Sequence, residues 1–118
     1  MDMRGQKCVS EETPESWAEN TMKSLSIDQK IAQLLMIRVH SDWSEKKLKA
    51  VYNQISKYGV GGVCFFSGTP LKQVSITNYI QKISSIPVLV SIDGEWGPSM
   101  RLDKCAVFPH QMTMGALP

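Results

Sequence analysis

The chain has 118 residues, of which 42% are hydrophobic and 20% are charged, a composition typical of one modest globular domain. Its formal net charge of +2, from 13 basic and 11 acidic residues, gives no electrostatic reason to expect nucleic acid or an anionic membrane as a partner. No stretch approaches the roughly 20 apolar residues that span a bilayer, and the polar segment 1–16 lacks the apolar core of a signal peptide.

The three cysteines indicate no metal site. Cys8, Cys64 and Cys105 cannot all pair within one molecule, and none has the Cys-x-x-Cys or Cys/His spacing that holds zinc. Cys64 lies in a β-like run, where a cysteine behaves as a small buried apolar residue. We therefore expect no metal and no cofactor, and the cysteines do not define a cellular compartment.

The start of the chain predicts a lead-in segment followed by a helix. Residues 1–16 are mostly polar or charged, with Glu and Ser the most frequent polar residues, which predicts a flexible segment. A first helix is expected over residues 15–22, with Trp17, Met22 and Leu25 as its docking residues.

A capping pattern predicts where the second helix begins. Ser26 can accept a hydrogen bond from the backbone N–H of Gln29, and the Gln29 side chain can return the bond, as in a capping box. Apolar residues then recur at helical spacing, and the apolar run 34–39 predicts a first strand. The pattern does not fix the residue at which the helix gives way to the strand.

The following helix is predicted over residues 44–58, with Gly59 as the residue that ends it. Lysines occupy its other faces, which predicts a solvated surface and not a nucleic-acid patch. Its apolar stripe is formed by Leu48, Val51, Tyr52, Ile55 and Tyr58.

The next segment predicts a strand, a helix and another strand. The second strand is expected over residues 60–66, and Thr69 and Pro70 suit the N-cap and first position of a helix that continues to about Ser84. The third strand is expected over residues 88–92. The apolar residues of this helix are Val74, Ile76, Ile80 and Ile83.

The alternation of helices and strands predicts an α/β fold with a parallel sheet. The run 88–92 is apolar at nearly every position, which suits a strand buried on both faces. Three such strands leave apolar edges unpaired, and a flavodoxin-like sheet needs about five. We therefore predict a partial (β/α)8 barrel, the front part of a larger domain, followed by an irregular segment over 103–118. A flavodoxin-like binding domain is the weaker alternative, since the chain has no phosphate loop.

The loop after the third strand holds the candidate binding residues. Ligands bind at the carboxyl ends of parallel strands, so Asp93, Glu95, Trp96 and Arg101 are well placed to meet one. His40, near the end of the first strand, is a further candidate for the same cleft. Each also has a structural alternative: for instance, an aromatic ring beside the loop can stack on a ligand or pack the loop onto the barrel.

Asp93 and Glu95 do not suit a pair of catalytic carboxylates. Residues two apart in an extended chain are separated by about 6.5 Å, and two acids from one loop would approach a ligand from the same side. Glu95 is expected to bond loop N–H groups or Arg101. Arg101 is expected to partner a loop carboxylate rather than clamp a substrate, and His110 has no pattern that marks it as catalytic.

Short motifs occur in order and at sensible spacing from about residue 17 to 117, in the segments 28–36, 59–66, 91–97, 100–102 and 108–109. Together they resemble glycoside hydrolase family 3. Within it they are similar to the β-N-acetylglucosaminidase (NagZ-like) branch, and to long forms that carry a β-lactamase-like domain after the hydrolase domain.

The resemblance implies a (β/α)8 barrel, of which residues 17–118 are the N-terminal part, with about three-eighths of the strands. It also implies a retaining exo-β-glycosidase whose nucleophile, an Asp on a later strand, and acid/base, a His in a Lys-His loop, align with no residue of this chain. No residue here is therefore expected to be catalytic, and the chain alone is expected to be inactive. The resemblance does not fix the compartment, because relatives are both cytoplasmic and exported; by analogy with the family, a periplasmic or exported location is expected.

The resemblance carries one site residue over. Asp93 matches the family's Asp at the end of the third strand, which binds hydroxyls of the terminal sugar. Many members have Asp-Gln-Glu-Gly-Gly here, whereas this chain has Gly94 and Trp96 in place of the Gln and the first Gly. The expected substrate is a terminal β-linked N-acetylglucosamine. The alternatives are a β-glucosidase of the same family and a non-catalytic sugar-binding or regulatory module. The expected protein partner is the rest of the barrel, or a second copy joined through the strand edges.

Overall fold

The structure, a computed structural model, describes residues 13–117, so most of the predicted lead-in lies outside the described residues. Within that range no helix combines the length and apolar character needed to cross a membrane. The elements in chain order are α1 Pro14–Ser24, α2 Ile27–Gln33, β1 Met36–Val39, α3 Glu45–Tyr58, β2 Gly62–Phe65, α4 Pro70–Ile83, β3 Leu89–Ile92, a 3₁₀ helix Pro98–Met100 and α5 Gln111–Gly115.

The three strands form one parallel sheet in the order β1-β2-β3. The register places Val39 opposite Phe65, and Phe65 opposite Ile92, so the strands end in one row. Because a helix connects each strand to the next parallel strand, the architecture is that of a partial (β/α) barrel. This confirms the predicted fold class.

One face of the sheet is buried beneath α3 and α4. Val39, Val63 and Phe65 are fully buried there, since alternate residues of a strand point to the same face. The helices contribute their apolar stripes to this single core. The other buried members of the core are Val51, Ile55, Val60, Ile76, Ile80 and Val88.

The opposite face of the sheet is not covered by any described element. Met36 is 51% exposed and Leu89 is 71% exposed, although both lie within strands. The prediction that the third strand is buried on both faces is therefore wrong for residues 13–117. Cys64, predicted to be buried, is only half-buried on the same face. In a closed (β/α)8 barrel, residues of this face fill the interior.

The helix caps follow the predicted pattern. The Ser26 hydroxyl accepts from the N–H of Gln29 at 3.3 Å, and the Gln29 side chain accepts from the N–H of Ser26 at 2.9 Å. Thr69 caps α4 with Pro70 at its first position, and Gly59 ends α3 with a φ of 66°. These three predictions are confirmed, because capping depends on residues close in sequence.

Element boundaries differ from the predicted ones where an apolar run spans two elements. The first strand begins at Met36 and not at residue 34, because the N–H of Leu34 still bonds the Ile31 carbonyl at 3.0 Å and closes α2. The second and third strands are shortened to the four residues of each that pair in parallel. α1 begins at Pro14, inside the segment predicted to be flexible.

Some predicted docking residues are exposed. α1 buries no residue: Trp17 and Met22 are exposed and Leu25 is half-buried. The predicted docking is therefore wrong for Trp17 and Met22. Tyr58 is exposed because it lies in the last turn of α3, beyond the sheet. Val74 is exposed because it faces a groove beside Val90 at the outer edge of β3, away from α3.

Aromatic packing joins the two helices that cover the sheet. The rings of Tyr52 on α3 and Tyr79 on α4 lie 4.6 Å apart. Burial, and then the neighbouring Tyr79, raise the pKa of the Tyr52 phenol above its ordinary value.

The chain after β3 folds back onto the β2–α4 loop. Leu102 is buried and pairs with Gly68 in an isolated bridge, and the N–H of Asp103 bonds the Gly68 carbonyl at 2.8 Å. The segment predicted to be irregular over 103–118 includes the short helix α5. The loop after the third strand is therefore fixed at its far end.

The end of α2 packs directly against the start of β2. The N–H of Gly61 bonds the Ala32 carbonyl at 3.1 Å, and the Gln33 side chain bonds the Gly59 carbonyl at 2.7 Å. A Cβ at position 61 would lie 1.9 Å from the Gln33 carbonyl oxygen. Only glycine permits this backbone approach.

We predict that Gly61→Ala lowers the free energy of unfolding by about 1–3 kcal/mol, the usual cost of overpacking, because backbone must move to admit the methyl group. Gly115→Ala is the matched control, since a Cβ there has no neighbour within 4 Å. Urea unfolding of both variants measures the effect. Equal stability of the two variants would contradict the packing account.

Candidate functional site

The carboxyl ends of the three strands bring the candidate residues to one edge of the sheet. His40, Phe66 and Asp93 each directly follow the row in which the three strands end. The N–H of Phe66 bonds the Val39 carbonyl at 3.1 Å, and the N–H of Asp93 bonds the Phe65 carbonyl at 3.3 Å. The parallel ladder therefore extends one residue further. By strand alternation, these side chains turn toward the uncovered face of the sheet.

Asp93 is held by Arg101 through two contacts. Arg101 Nη2 lies 2.7 Å from Asp93 Oδ2, and Arg101 Nε donates to the Asp93 backbone carbonyl at 2.5 Å. A guanidinium can make both bonds at once because its donors form a rigid planar fork. The pair closes the base of the loop between residues 93 and 101.

The other carboxylate oxygen of Asp93 is open. Oδ1 accepts no hydrogen bond from residues 13–117, and the side chain is 40% exposed while that of Arg101 is 25% exposed. An ionised carboxylate accepts hydrogen bonds on both oxygens. Asp93 therefore presents an oriented acceptor to a ligand at the strand ends.

The structure decides which loop carboxylate Arg101 binds. Arg101 was expected to pair with a loop carboxylate, and the partner is Asp93 and not Glu95. Glu95 is exposed, and its backbone carbonyl accepts from the Gln111 side chain at 2.6 Å. Of the two alternatives expected for Glu95, the bond to Arg101 is therefore wrong, since Arg101 binds Asp93.

Phe66 links Asp93 and His40 through a cluster of cationic and aromatic groups. The Arg101 guanidinium carbon lies 5.1 Å from the centre of the Phe66 ring, and that of Arg38 lies 5.9 Å away. The His40 ring is stacked 6.0 Å from the same centre. Cations favour the face of an aromatic ring. Phe66 was not among the predicted site residues; its position directly after a strand was the signal that could have indicated it.

His40 lies in a hydrogen-bonded chain with two residues that the sequence analysis did not identify. His40 Nδ1 is 2.7 Å from Ser67 Oγ, and Ser67 Oγ donates to the Asp42 carboxylate at 2.9 and 3.0 Å. The His40 ring also stacks on Trp43, with ring centres 4.7 Å apart. Ser67 is 27 residues from His40, so no local pattern could reveal the contact.

A buried serine fixes the loop that carries Ser67. Ser41 is 2% exposed, and its hydroxyl accepts from the N–H of Thr69 at 3.0 Å. Gly68 has a φ of 122°, and a Cβ there would lie 1.8 Å from the Ser41 hydroxyl oxygen. The loops after β1 and β2 are therefore packed too closely for any other residue at position 68.

Trp96 lies away from this cluster. Its half-buried ring is 4.7 Å from the His110 ring at an angle of 51°, and within residues 13–117 no hydrogen bond, ring contact or cation–π contact joins it to Asp93 or Arg101. The structure thus brings Asp93 and Arg101 together, connects His40 to them through Phe66, and places Trp96 beside His110. No group of three or more His, Cys, Asp or Glu residues in the described part of the chain could hold a metal ion.

Comparison with known proteins identifies a family for most of the chain. Residues 26–118 match the model of the glycosyl hydrolase family 3 N-terminal domain. A search of curated proteins found no match.

We predict that Arg101→Lys loosens the loop between residues 93 and 101, because an ammonium cannot reproduce the planar fork that binds both the carboxylate and the backbone carbonyl of Asp93. Amide hydrogen exchange in residues 94–100 should be faster by about tenfold or more, as expected for the loss of one charge-assisted hydrogen bond of about 1.5–3 kcal/mol.

Arg38→Lys is the matched control, since Arg38 contacts the same Phe66 ring but forms no ion pair with the described residues. Unchanged exchange in Arg101→Lys, or equal changes in both variants, would show that the fork does not hold the loop.

Proposed function

The chain belongs to glycosyl hydrolase family 3, and from this premise we propose that it supplies the sugar-binding edge of a retaining exo-β-glycosidase. The proposed substrate is a terminal β-linked N-acetylglucosamine. The observation that carries the proposal is the geometry of Asp93. One of its oxygens is held by Arg101, and the other is open at the carboxyl edge of a parallel sheet.

A carboxylate in this position suits a sugar ligand. Sugars present adjacent hydroxyl donors, and an ionised carboxylate forms short, strong hydrogen bonds with such donors. A site built to bond a hydroxyl also rejects analogues that lack it, because the carboxylate then loses its partner. Asp93 would therefore contribute both affinity and selectivity for the terminal residue.

Arg101 acts in this proposal as a positioning residue. Its Nε bond to the Asp93 backbone and its Nη2 bond to Oδ2 together restrict rotation of the carboxylate. A carboxylate that is already oriented loses less conformational entropy when the sugar binds. The ion pair also leaves Oδ1 as the oxygen that faces the ligand.

Bond cleavage is proposed to depend on residues outside this chain. Asp93 is engaged by Arg101, and Glu95 follows it in the same loop, so the two do not flank a sugar from opposite walls. We propose that further strands of the barrel pair with the edges of β1 and β3 and carry the nucleophile and the acid/base. They would also cover the exposed face that includes Met36 and Leu89.

The preference for N-acetylglucosamine rests on the resemblance of residues 91–97 to the β-N-acetylglucosaminidase branch. A β-glucosidase of the same family and a non-catalytic sugar-binding module are the competing functions. Hydrolysis of chromogenic β-N-acetylglucosaminide and β-glucoside by the full-length protein distinguishes a β-N-acetylglucosaminidase from a β-glucosidase. Titration with N-acetylglucosamine detects binding without turnover.

We predict that Asp93→Asn lowers kcat/KM for the chromogenic β-N-acetylglucosaminide by about 10- to 100-fold, the range expected for a charge-assisted hydrogen bond of about 1.5–3 kcal/mol. Glu95→Gln is the matched control, since it removes an exposed carboxylate from the same loop, and it should change kcat/KM by less than about threefold.

Turnover like that of the wild type by Asp93→Asn would contradict the assignment of Asp93. Hydrolysis of the β-glucoside alone would favour the β-glucosidase. Saturable binding of N-acetylglucosamine without hydrolysis of either compound would favour the binding module. Robust glycosidase activity of the 118-residue chain by itself would contradict the proposal that the nucleophile and acid/base lie elsewhere.

A further inference from the structure

We propose that His40 is a second sugar-binding residue, which accepts a hydrogen bond from a substrate hydroxyl through Nε2 while Ser67 and Asp42 fix its protonation. This inference rests on the proposed function and adds a residue to the same site. Four observations support it: the order of donors and acceptors, the accessibility of Nε2, the packing of the ring, and the register of the strands.

The Asp42–Ser67–His40 chain of hydrogen bonds assigns the proton of His40. The Asp42 carboxylate can only accept, so the single hydroxyl proton of Ser67 is donated to Asp42 at 2.9–3.0 Å. The Ser67 oxygen must then accept from His40 at 2.7 Å, which places the proton on Nδ1. If Ser67 instead donated its proton to Nδ1, no proton would lie between Ser67 Oγ and the Asp42 carboxylate oxygens, which are about 3 Å away. In the neutral ring, Nε2 therefore carries a lone pair.

Nε2 is available to a ligand. It has no hydrogen-bond partner among residues 13–117, and the only buried side-chain nitrogen or oxygen without a partner in that range is Gln73 Oε1. Nε2 is consequently not fully buried. A fixed acceptor with no protein partner is suited to a donor on a ligand, such as a sugar hydroxyl.

The ring of His40 is held in one orientation. Trp43 stacks on it at 4.7 Å with an angle of 23°, and Phe66 stacks at 6.0 Å with an angle of 26°. The N–H of Trp43 bonds the His40 carbonyl at 3.3 Å, which fixes the turn that carries the indole. Because the ring cannot rotate freely, the direction of the Nε2 lone pair is defined before a ligand binds.

The register places His40 on the same side of the sheet as Asp93. His40, Phe66 and Asp93 follow Val39, Phe65 and Ile92, which are paired across the sheet. Neighbouring strands lie about 4.8 Å apart, so His40 is about two strand spacings from Asp93, with Phe66 between them. A sugar bound to Asp93 would then cross the Phe66 position and extend toward His40.

The protonation of His40 is tested first, by ¹⁵N NMR of the protein with labelled histidine, using His40→Phe to assign the signals. We expect His40 to be in the Nδ1–H form, and Ser67→Ala to shift it toward the Nε2–H form that free imidazole prefers. Ser75→Ala is the matched control, because the Ser75 hydroxyl bonds only a carbonyl within α4. An Nε2–H form in the wild type would overturn the proposal.

The contact with sugar is tested by titrating the full-length protein with N-acetylglucosamine. His40→Phe keeps the stacked ring but removes Nε2, and we expect it to raise Kd about 3- to 10-fold, the effect of one neutral hydrogen bond. Ser67→Ala should raise Kd to a smaller extent, and Ser75→Ala should leave it unchanged. A Kd for His40→Phe equal to that of the wild type would overturn the proposal, provided that urea unfolding shows both proteins folded.

If His40→Phe proves to be misfolded, the test moves to His40→Leu, which has no hydrogen-bonding group in its side chain. The same rise in Kd is expected for it, and an unchanged Kd would contradict the proposal. Failure of this inference is distinct from failure of the proposed function. If Asp93→Asn weakens binding and the His40 variants do not, only the role of His40 is wrong. If the wild-type protein neither binds nor hydrolyses these sugars, the proposed function is wrong, and the inference is overturned with it.

Discussion

The parallel hydrogen bonding of β2 to both of its neighbours is the constraint from which the arrangement of the site follows. It sets the ends of the three strands in one row, and the next residue of each strand therefore turns to the same face. His40, Phe66 and Asp93 are far apart in sequence but lie side by side for this reason. A shift of one residue in either pairing would turn a member of this row toward α3 and α4, and the cluster around Phe66 would not form.

The hydrophobic core lies on one face of the sheet, and the candidate site lies on the other. Val39, Val63 and Phe65 are covered by helices and supply the hydrophobic stabilisation of the described part of the chain. The other face carries polar and cationic residues near the strand ends and apolar ones, such as Leu89, near the strand beginnings. This distribution is typical of barrel strands: residues near the beginnings of the strands pack in the barrel interior, and residues at the carboxyl ends contact the ligand.

Features decided by neighbouring residues could be predicted from the sequence, and features decided by distant ones could not. The caps at Ser26 and Thr69 and the end of α3 at Gly59 depend on local hydrogen bonds and backbone angles, so their patterns were sufficient. The position of Asp93 followed from the end of an apolar run. The choice of Asp93 over Glu95 by Arg101 depends on how the loop folds, and the two acids are only two residues apart.

The partners of His40 and the boundaries of the strands could not be predicted from the sequence, for different reasons. The partners of His40 follow β1 and β2 and meet only when the sheet forms, so no spacing rule could connect them. Leu34 is apolar and suits the end of a helix as well as the start of a strand, and the hydrogen bond that decides between them is not visible in the pattern. The exposure of Leu89 depends on which other elements pack nearby, which a hydrophobic run does not specify.

Two contacts close the loop between residues 93 and 103: the Arg101–Asp93 ion pair and the bridge between Leu102 and Gly68. Arg101 ties one end of the loop to Asp93, and the pairing of Leu102 with Gly68 anchors the other end to the neighbouring strand connection. Trp96 and Glu95, which lie between these two contacts, pack instead on the residues that follow, His110 and Gln111. The contacts that orient the carboxylate are thus separate from the contacts that position the middle of the loop, so substitutions at Trp96 could alter recognition while the Asp93–Arg101 pair is retained.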